Sequence, residues 1–236
     1  MNLLSLINKV CARFGIPQTQ TVYGSTDDGI IQMFNLLEEE GEDLSSRHNW
    51  KYITKEATLT TIASENQGKI TTIAPGYSFI KNQTLWDRTD VLPVIGPING
   101  QQWQALKAVS NTGPRFQFRI RGGDLLITPT PAAGLTFAFE YQTTNWILDV
   151  DGTTTKSAFT ADTDTFLLPE KLLLLGLRWR WAAEKGLNYS ELFQTYENQV
   201  KDMMGRDGGA DRLYADNEKM RLAPGIYVPN GNWVIP

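Results

Sequence analysis

Pro169-Glu170-Lys171-Leu172-Leu173-Leu174-Leu175-Gly176-Leu177-Arg178-Trp179-Arg180-Trp181-Ala182-Ala183-Glu184-Lys185 is the stretch on which the fold turns. Proline suits the first helical position, where its missing N–H would have no intrahelical partner, and Glu170 complements the positive end of the helix dipole. Apart from its arginines, Leu172 to Trp181 is apolar nearly all round, so this helix must be enclosed by others. At 1.5 Å per residue it spans about 25 Å, short of the roughly 30 Å hydrocarbon core of a bilayer. It also carries Glu170, Lys171, Arg178 and Arg180, which points to a protein core and not a membrane.

The enclosing helices lie on both sides of it in the chain. Gly186 ends the stretch, and Asn188 with Glu191 forms a capping-box-like pair that opens a helix bearing Leu192, Phe193, Tyr196, Val200 and Met203. At the other end of the chain, Leu3, Leu4, Ile7, Val10, Cys11 and Phe14 recur at helical spacing and stop at Gly15, with Pro17 beyond. Ser25 or Thr26 can cap a second helix whose apolar face is Ile30, Phe34, Leu37 and Leu44. Its opposite face carries Glu38, Glu39, Glu40, Glu42 and Asp43, either a solvated face or one that lines or meets something.

Between these helices the period changes to two. Thr58–Ile62 and Lys69–Ile73 are short β-branched runs, and in Arg115–Arg121 the residues Phe116, Phe118 and Ile120 oppose Arg115, Gln117, Arg119 and Arg121. Gly122-Gly123-Asp124 turns that strand into Leu125–Thr128, and Leu135, Phe137, Phe139 and Tyr141 alternate with Thr136, Ala138, Glu140 and Gln142 in a further strand. Gln101 to Val109 reads as a short helix with Trp103 and Leu106 inward. Helical ends can bury their apolar faces only against each other, so the middle is an insertion. The fold class expected is α+β: helical bundle in two parts (1–54 and 151–205), inserted antiparallel β-domain (55–150), and extended C-terminal arm (206–236). The Thr/Asp/Gly-rich run from Ile147 to Asp164 is expected to serve as the return link from the β-domain to the second part of the bundle.

The arm is neutral, with four acids against four bases, yet it holds Leu213, Tyr214, Leu222, Ile226, Tyr227, Val228, Trp233, Val234 and Ile235. A merely disordered tail does not usually keep so many large apolar residues, so these are read as a docking surface that orders on binding.

Candidate chemistry is sparse. With one histidine and one cysteine in 236 residues, most metal and nucleophilic sites lack their parts, and an internal disulfide is impossible. Cys11 reads as a small buried hydrophobe and His48 as a basic group at a helix C-terminus. Asp87 and Asp90 flank Arg88, which suggests local ion pairing and not a glycosidase pair. Asp149, Asp151, Asp162 and Asp164 lack the spacing of a calcium loop and read as a solvated acidic loop. Neither a phosphate-binding glycine loop nor a dinucleotide fingerprint occurs. A net charge of −4 gives no support to a protein that grips a duplex, although it suits one that lets DNA pass. The Leu-rich start has no basic region before it and is broken by Asn8 and Lys9, unlike a signal peptide. Arg115, Arg119 and Arg121 form a stripe that faces solvent, phosphate or a neighbouring subunit's carboxylates. Neither an enzyme nor a cofactor or metal is expected.

Several stretches together resemble the head-to-tail adaptor proteins of short-tailed bacteriophages, from Leu3 to about Gly209. They are Asp43–Trp50, Leu85-Trp86-Asp87-Arg88-Thr89, Gly96-Pro97 with Gln102–Lys107, Phe118–Gly123, Phe139-Glu140-Tyr141, Ala161–Asp164 and Leu175–Trp181. None encodes chemistry; their order carries the resemblance. It implies a homo-oligomeric, twelve-fold ring at the head-tail junction of a virion, made in the host bacterial cytoplasm. The ring would sit beneath the portal protein and above the tail nozzle, with tail fibre or spike proteins as further partners. Double-stranded DNA would pass through the lumen without specific binding. Glu38, Glu39, Glu42 and Asp43, with Arg115, Arg119 and Arg121, are then candidates for lumen-facing or subunit-facing positions, and the nine apolar residues of the arm for portal docking. The rival is a carbohydrate- or surface-binding module with Trp86, Trp103 and Trp146 as sugar platforms.

Overall fold

Asn2 opens the first helix, α1 (Leu3–Phe14), with a reciprocal cap: its side chain accepts from the Ser5 amide, and the Ser5 hydroxyl accepts from the Asn2 amide. Gly15 closes it in the left-handed conformation, at φ 69°. The computed structural model describes residues 1–109 and 115–208. Helix α2 (Asp28–Arg47) starts at neither serine nor threonine as expected; Asp27 is its cap, accepting from the amides of Gly29 and Ile30. A carboxylate there gains both the hydrogen bonds and the dipole.

A 3₁₀ turn (Lys51–Ile53) leads into β1 (Thr54–Thr60). Then follow β2 (Asn66–Lys69), the single turn α3 (Ile70–Ile73), β3 (Tyr77–Ile80), β4 (Trp86–Asp87), β5 (Leu92–Pro93) and α4 (Gly100–Ala108). The hairpin β6 (Gln117–Arg121) and β7 (Asp124–Thr128) comes next, then β8 (Thr136–Thr143), β9 (Ile147–Leu148), β10 (Thr155–Lys156) and β11 (Thr165–Phe166). Two long helices end the described chain, α5 (Glu170–Glu184) and α6 (Ser190–Gly208).

The fold is α+β, and every strand pairing within its three sheets is antiparallel. In the largest sheet β8 is central: β1 runs along one edge, from Thr54 opposite Gln142 to Thr60 opposite Thr136, and β3 and β4 share the other edge. The second sheet has the order β2-β7-β6, and Gly122 and Gly123, both at positive φ, make its hairpin turn. The alternation of Phe137, Phe139 and Tyr141 puts all three in one core with Phe118, Leu125 and Ile127. A different core joins Leu3, Leu6, Ile7, Val10, Met33, Leu37 and Leu44 to Leu172, Leu173, Leu177, Tyr196 and Val200. Helix α5 packs against α1, α2 and α6, so its apolar circumference is enclosed by helices from both ends of the chain.

Two expectations are corrected here. Lys69–Ile73 is not a strand. Its pairing with β7 ends at Lys69 opposite Asp124, and Ile70 to Ile73 coil into one helical turn closed by the Ala74 amide on the Ile70 carbonyl. Without a partner edge, β-branched residues have no ladder to join. Residues 147–164 are more than a link: β9, flanked by β10 and β11, forms a third small sheet, and Trp146, Ile147 and Phe159 are buried in the helical core.

Candidate functional site

The charges of α2 are drawn inward by α5. Glu40, expected on a solvated face, has no exposed surface, and its Oε2 accepts from Arg180 Nε at 2.6 Å. Gly176 makes that possible, because a Cβ there would stand 2.2 Å from the Glu40 carboxyl carbon. Burial holds the Glu40 carboxyl above the usual glutamate range, with the Tyr196 hydroxyl and Arg180 pulling the other way. Burial, and next the Glu40 charge, push the Tyr196 phenol up in turn. Arg180 reaches Asp43 at 3.2 Å and Glu39 at 3.9 Å as well, and Arg47 bonds Glu197 of α6 at 2.8 Å. The acidic run is therefore divided. Glu40 is buried in a network, Asp43 and Glu39 edge it, Glu38 is half-buried, and Glu42 is exposed with no ion pair among the described residues.

The arginine stripe lies elsewhere. Arg119 and Arg121 lie on β6 and Arg115 just before it, beside the second core, whereas Glu38, Glu39, Glu42 and Asp43 lie on α2, which packs in the first. Arg119 places its guanidinium over Gly100, at the start of α4, and none of the three is ion-paired among the described residues. Leu213, Tyr214, Leu222, Ile226, Tyr227, Val228, Trp233, Val234 and Ile235 lie outside the described residues.

Two of the four loop aspartates, Asp162 and Asp164, are structural, which corrects their reading as a solvated loop, while Asp151 is exposed and bonds only within its own turn. Asp162 accepts from the amides of Val22 and Tyr23 and from the Thr21 hydroxyl, pinning the α1–α2 connection. Asp164, with a fully buried side chain, receives Lys156 Nζ at 2.8 and 2.9 Å and the amides of Thr160 and Ala161. These bonds outweigh its burial and lower its pKa below the ordinary aspartate value. Its stabilisation is thus complete above the unfolded value near about 3.9 and is lost as the pH falls below it through the depressed folded value. Asp164→Asn should cost about 3 kcal/mol at pH 7 and flatten the acid limb of the stability curve, measured by urea unfolding at pH 7 and pH 3. An unchanged midpoint at pH 7 would contradict this role.

Asp87 is buried and turns its own loop, accepting from the amides of Thr89 and Asp90, while Arg88 pairs with Glu56 at 2.7 Å. Asp87 and Asp90 therefore meet within one turn and do not face each other across a cleft. His48 Nε2 stands 3.4 Å from Asp207, and no group of three or more metal-ligating side chains occurs among the described residues. Nor is any helix there long and apolar enough to cross a membrane. Trp103 and Trp146 are buried, so neither offers a face to a sugar, and Trp86 alone of the three is partly exposed. The partners that sequence reasoning missed are Arg180, Arg47, Tyr196, Glu197 and Lys156. The one signal for them was the pair of arginines inside an otherwise apolar helix, which had to meet carboxylates.

What the geometry defines is an α+β protein whose buried acids are mostly spent on joining its own elements. The chain belongs to the SU10 adaptor protein family, whose model matches residues 1–222, and it is a structural adaptor protein of a bacteriophage virion. The match runs past Gly209, so Leu213, Tyr214 and Leu222 fall within the family's span and Ile226 to Ile235 beyond it. No curated protein matches the chain.

Proposed function

We propose that this chain is a non-enzymatic head-to-tail adaptor, built as a helical bundle with an inserted β-domain and assembled as a twelve-fold ring between the portal and the tail nozzle. Family membership carries the proposal. The helices and the arm from 206 to 236 face the portal, and the β-domain faces the nozzle or tail fibre proteins. A net charge of −4 suits a lumen that lets DNA pass without holding it. Subunits meet through heterologous, ring-closing contacts. The test is attachment. Labelled full-length chain should co-sediment with DNA-filled heads whose portal is bare and not with heads already carrying tail parts; equal retention on both, or none on either, contradicts the proposal.

The tryptophans separate this function from sugar binding. Of the three candidate platforms, Trp103 and Trp146 are 1% exposed and Trp86 is partly exposed. Their fluorescence should stay unquenched in millimolar mono- and oligosaccharides, whereas saturable quenching would favour a carbohydrate-binding module.

A further inference from the structure

Arg178 and Arg180 are two positions apart on α5, which places them about 200° apart around the helix. Arg180 turns to α2 and its carboxylates, so Arg178 points the opposite way, into the seam between α1 and α6. There it lines a cavity of about 300 Å³ together with Arg13, Leu175, Glu191, Leu192 and Thr195. Arg178 Nε is buried without a hydrogen-bond partner, and neither Arg13 nor Arg178 is ion-paired among the described residues. Burial, and next the positive charge of Arg13, lower the pKa of Arg178, and the two guanidinium groups share this cavity with no carboxylate among the described residues at ion-pair distance of either. Glu191 borders the cavity beyond ion-pair distance of both.

On the far flank of the same helical layer, α2 turns Glu39 and Glu42 outward, and both are exposed. We infer that the Arg13–Arg178 cavity receives the outward carboxylates of α2, Glu42 foremost, from a second copy of this chain. One flank is a two-arginine socket and the opposite flank an acidic ridge, the relation a head-to-tail contact between identical subunits requires. A bidentate guanidinium–carboxylate pair would supply Arg178 with the partner its own subunit withholds. The socket fits a side-chain tip better than a nucleic acid backbone: it is concave and holds two arginines, too few to follow a run of phosphates. The inference rests on the ring proposed above and adds the residues that close it.

Charge exchange in the full-length chain tests it, with mass read by sedimentation velocity over a wide concentration range, alone and on portal-bearing heads. Arg13→Glu with Arg178→Glu should weaken self-association roughly 30-fold or more, and so should Glu39→Lys with Glu42→Lys. Mixing the two variants should restore association, because each supplies the flank the other lacks; combining all four changes in one chain should restore it too. Circular dichroism and melting curves confirm that each variant is folded, and for any variant that is not, Arg178→Gln and Glu42→Gln replace the reversals. Wild-type chain that associates while both charge variants associate equally overturns this inference alone. Wild-type chain that never associates overturns the ring and this contact with it. Loss of duplex DNA retention by the arginine variant, with its association unchanged, would make the socket a phosphate site and overturn the inference as well.

Discussion

Gly41→Ala is expected to destabilise the protein by about 3 kcal/mol or more, lowering the melting temperature by roughly 6–12 °C. Gly41 faces the Trp146 indole across the helical core, and a Cβ there would stand 2.1 Å from Cζ2 and 2.2 Å from Cη2 of that ring. The ring has nowhere to go. It is 1% exposed, meets Phe159 edge-on at 5.3 Å and stacks on Phe166 at 6.4 Å. Alanine would return at most about 1 kcal/mol of helix propensity, too little to offset displacing a rigid buried indole. The contrast with Gly176 is instructive, because a Cβ there meets the end of the Glu40 side chain, which can move at the expense of its bond to Arg180. Thermal unfolding of Gly41→Ala, compared with wild type, checks the prediction; a melting temperature within a degree or two of wild type would contradict the packing of Trp146 on α2.

Deleting Gly209 to Pro236 is expected to leave stability unchanged to within about 0.5 kcal/mol while weakening portal attachment at least about 100-fold. The cut leaves every residue of the two described cores in place. The cut also spares Asp207, which accepts from the Lys51 amide and so ties the end of α6 to the start of the first sheet. What is lost is the neutral, apolar segment from Leu213 to Ile235, whose large side chains suit a partner surface. Two readouts are required, an unfolding curve and co-sedimentation with portal-bearing heads. An unfolded truncation product would show that the arm completes the fold, and normal attachment would show that the portal is bound by other residues.

The parts of this fold legible in the sequence are those whose cause is local. Alternation from Leu135 to Tyr141 marks β8 because one face of a half-buried strand must be apolar, and Phe137, Phe139 and Tyr141 are indeed in the core. The encircling apolarity of Leu172 to Trp181 requires neighbours on every side, which α1, α2 and α6 provide. What could not be read depends on partners far along the chain. Glu40 and Arg180 are 140 residues apart, and nothing near Glu40 distinguishes it from the exposed Glu39 or Glu42. Lys69–Ile73 has the composition of a strand, yet its fate is decided by where β7 stops offering an edge. The aspartates at 162 and 164 look solvated until the α1–α2 connection and Lys156 are placed beside them. For the site, the sequence marks the charged faces without showing that one group of charges is turned inward and another left facing out.

The central claim, that this protein works as an assembled adaptor on the portal, is tested most directly by its mass in solution, alone and mixed with portal-bearing heads. A closed multi-copy ring, formed at least in the presence of the portal, is the expected result. A chain that stays monomeric in both conditions and ignores the portal would contradict it.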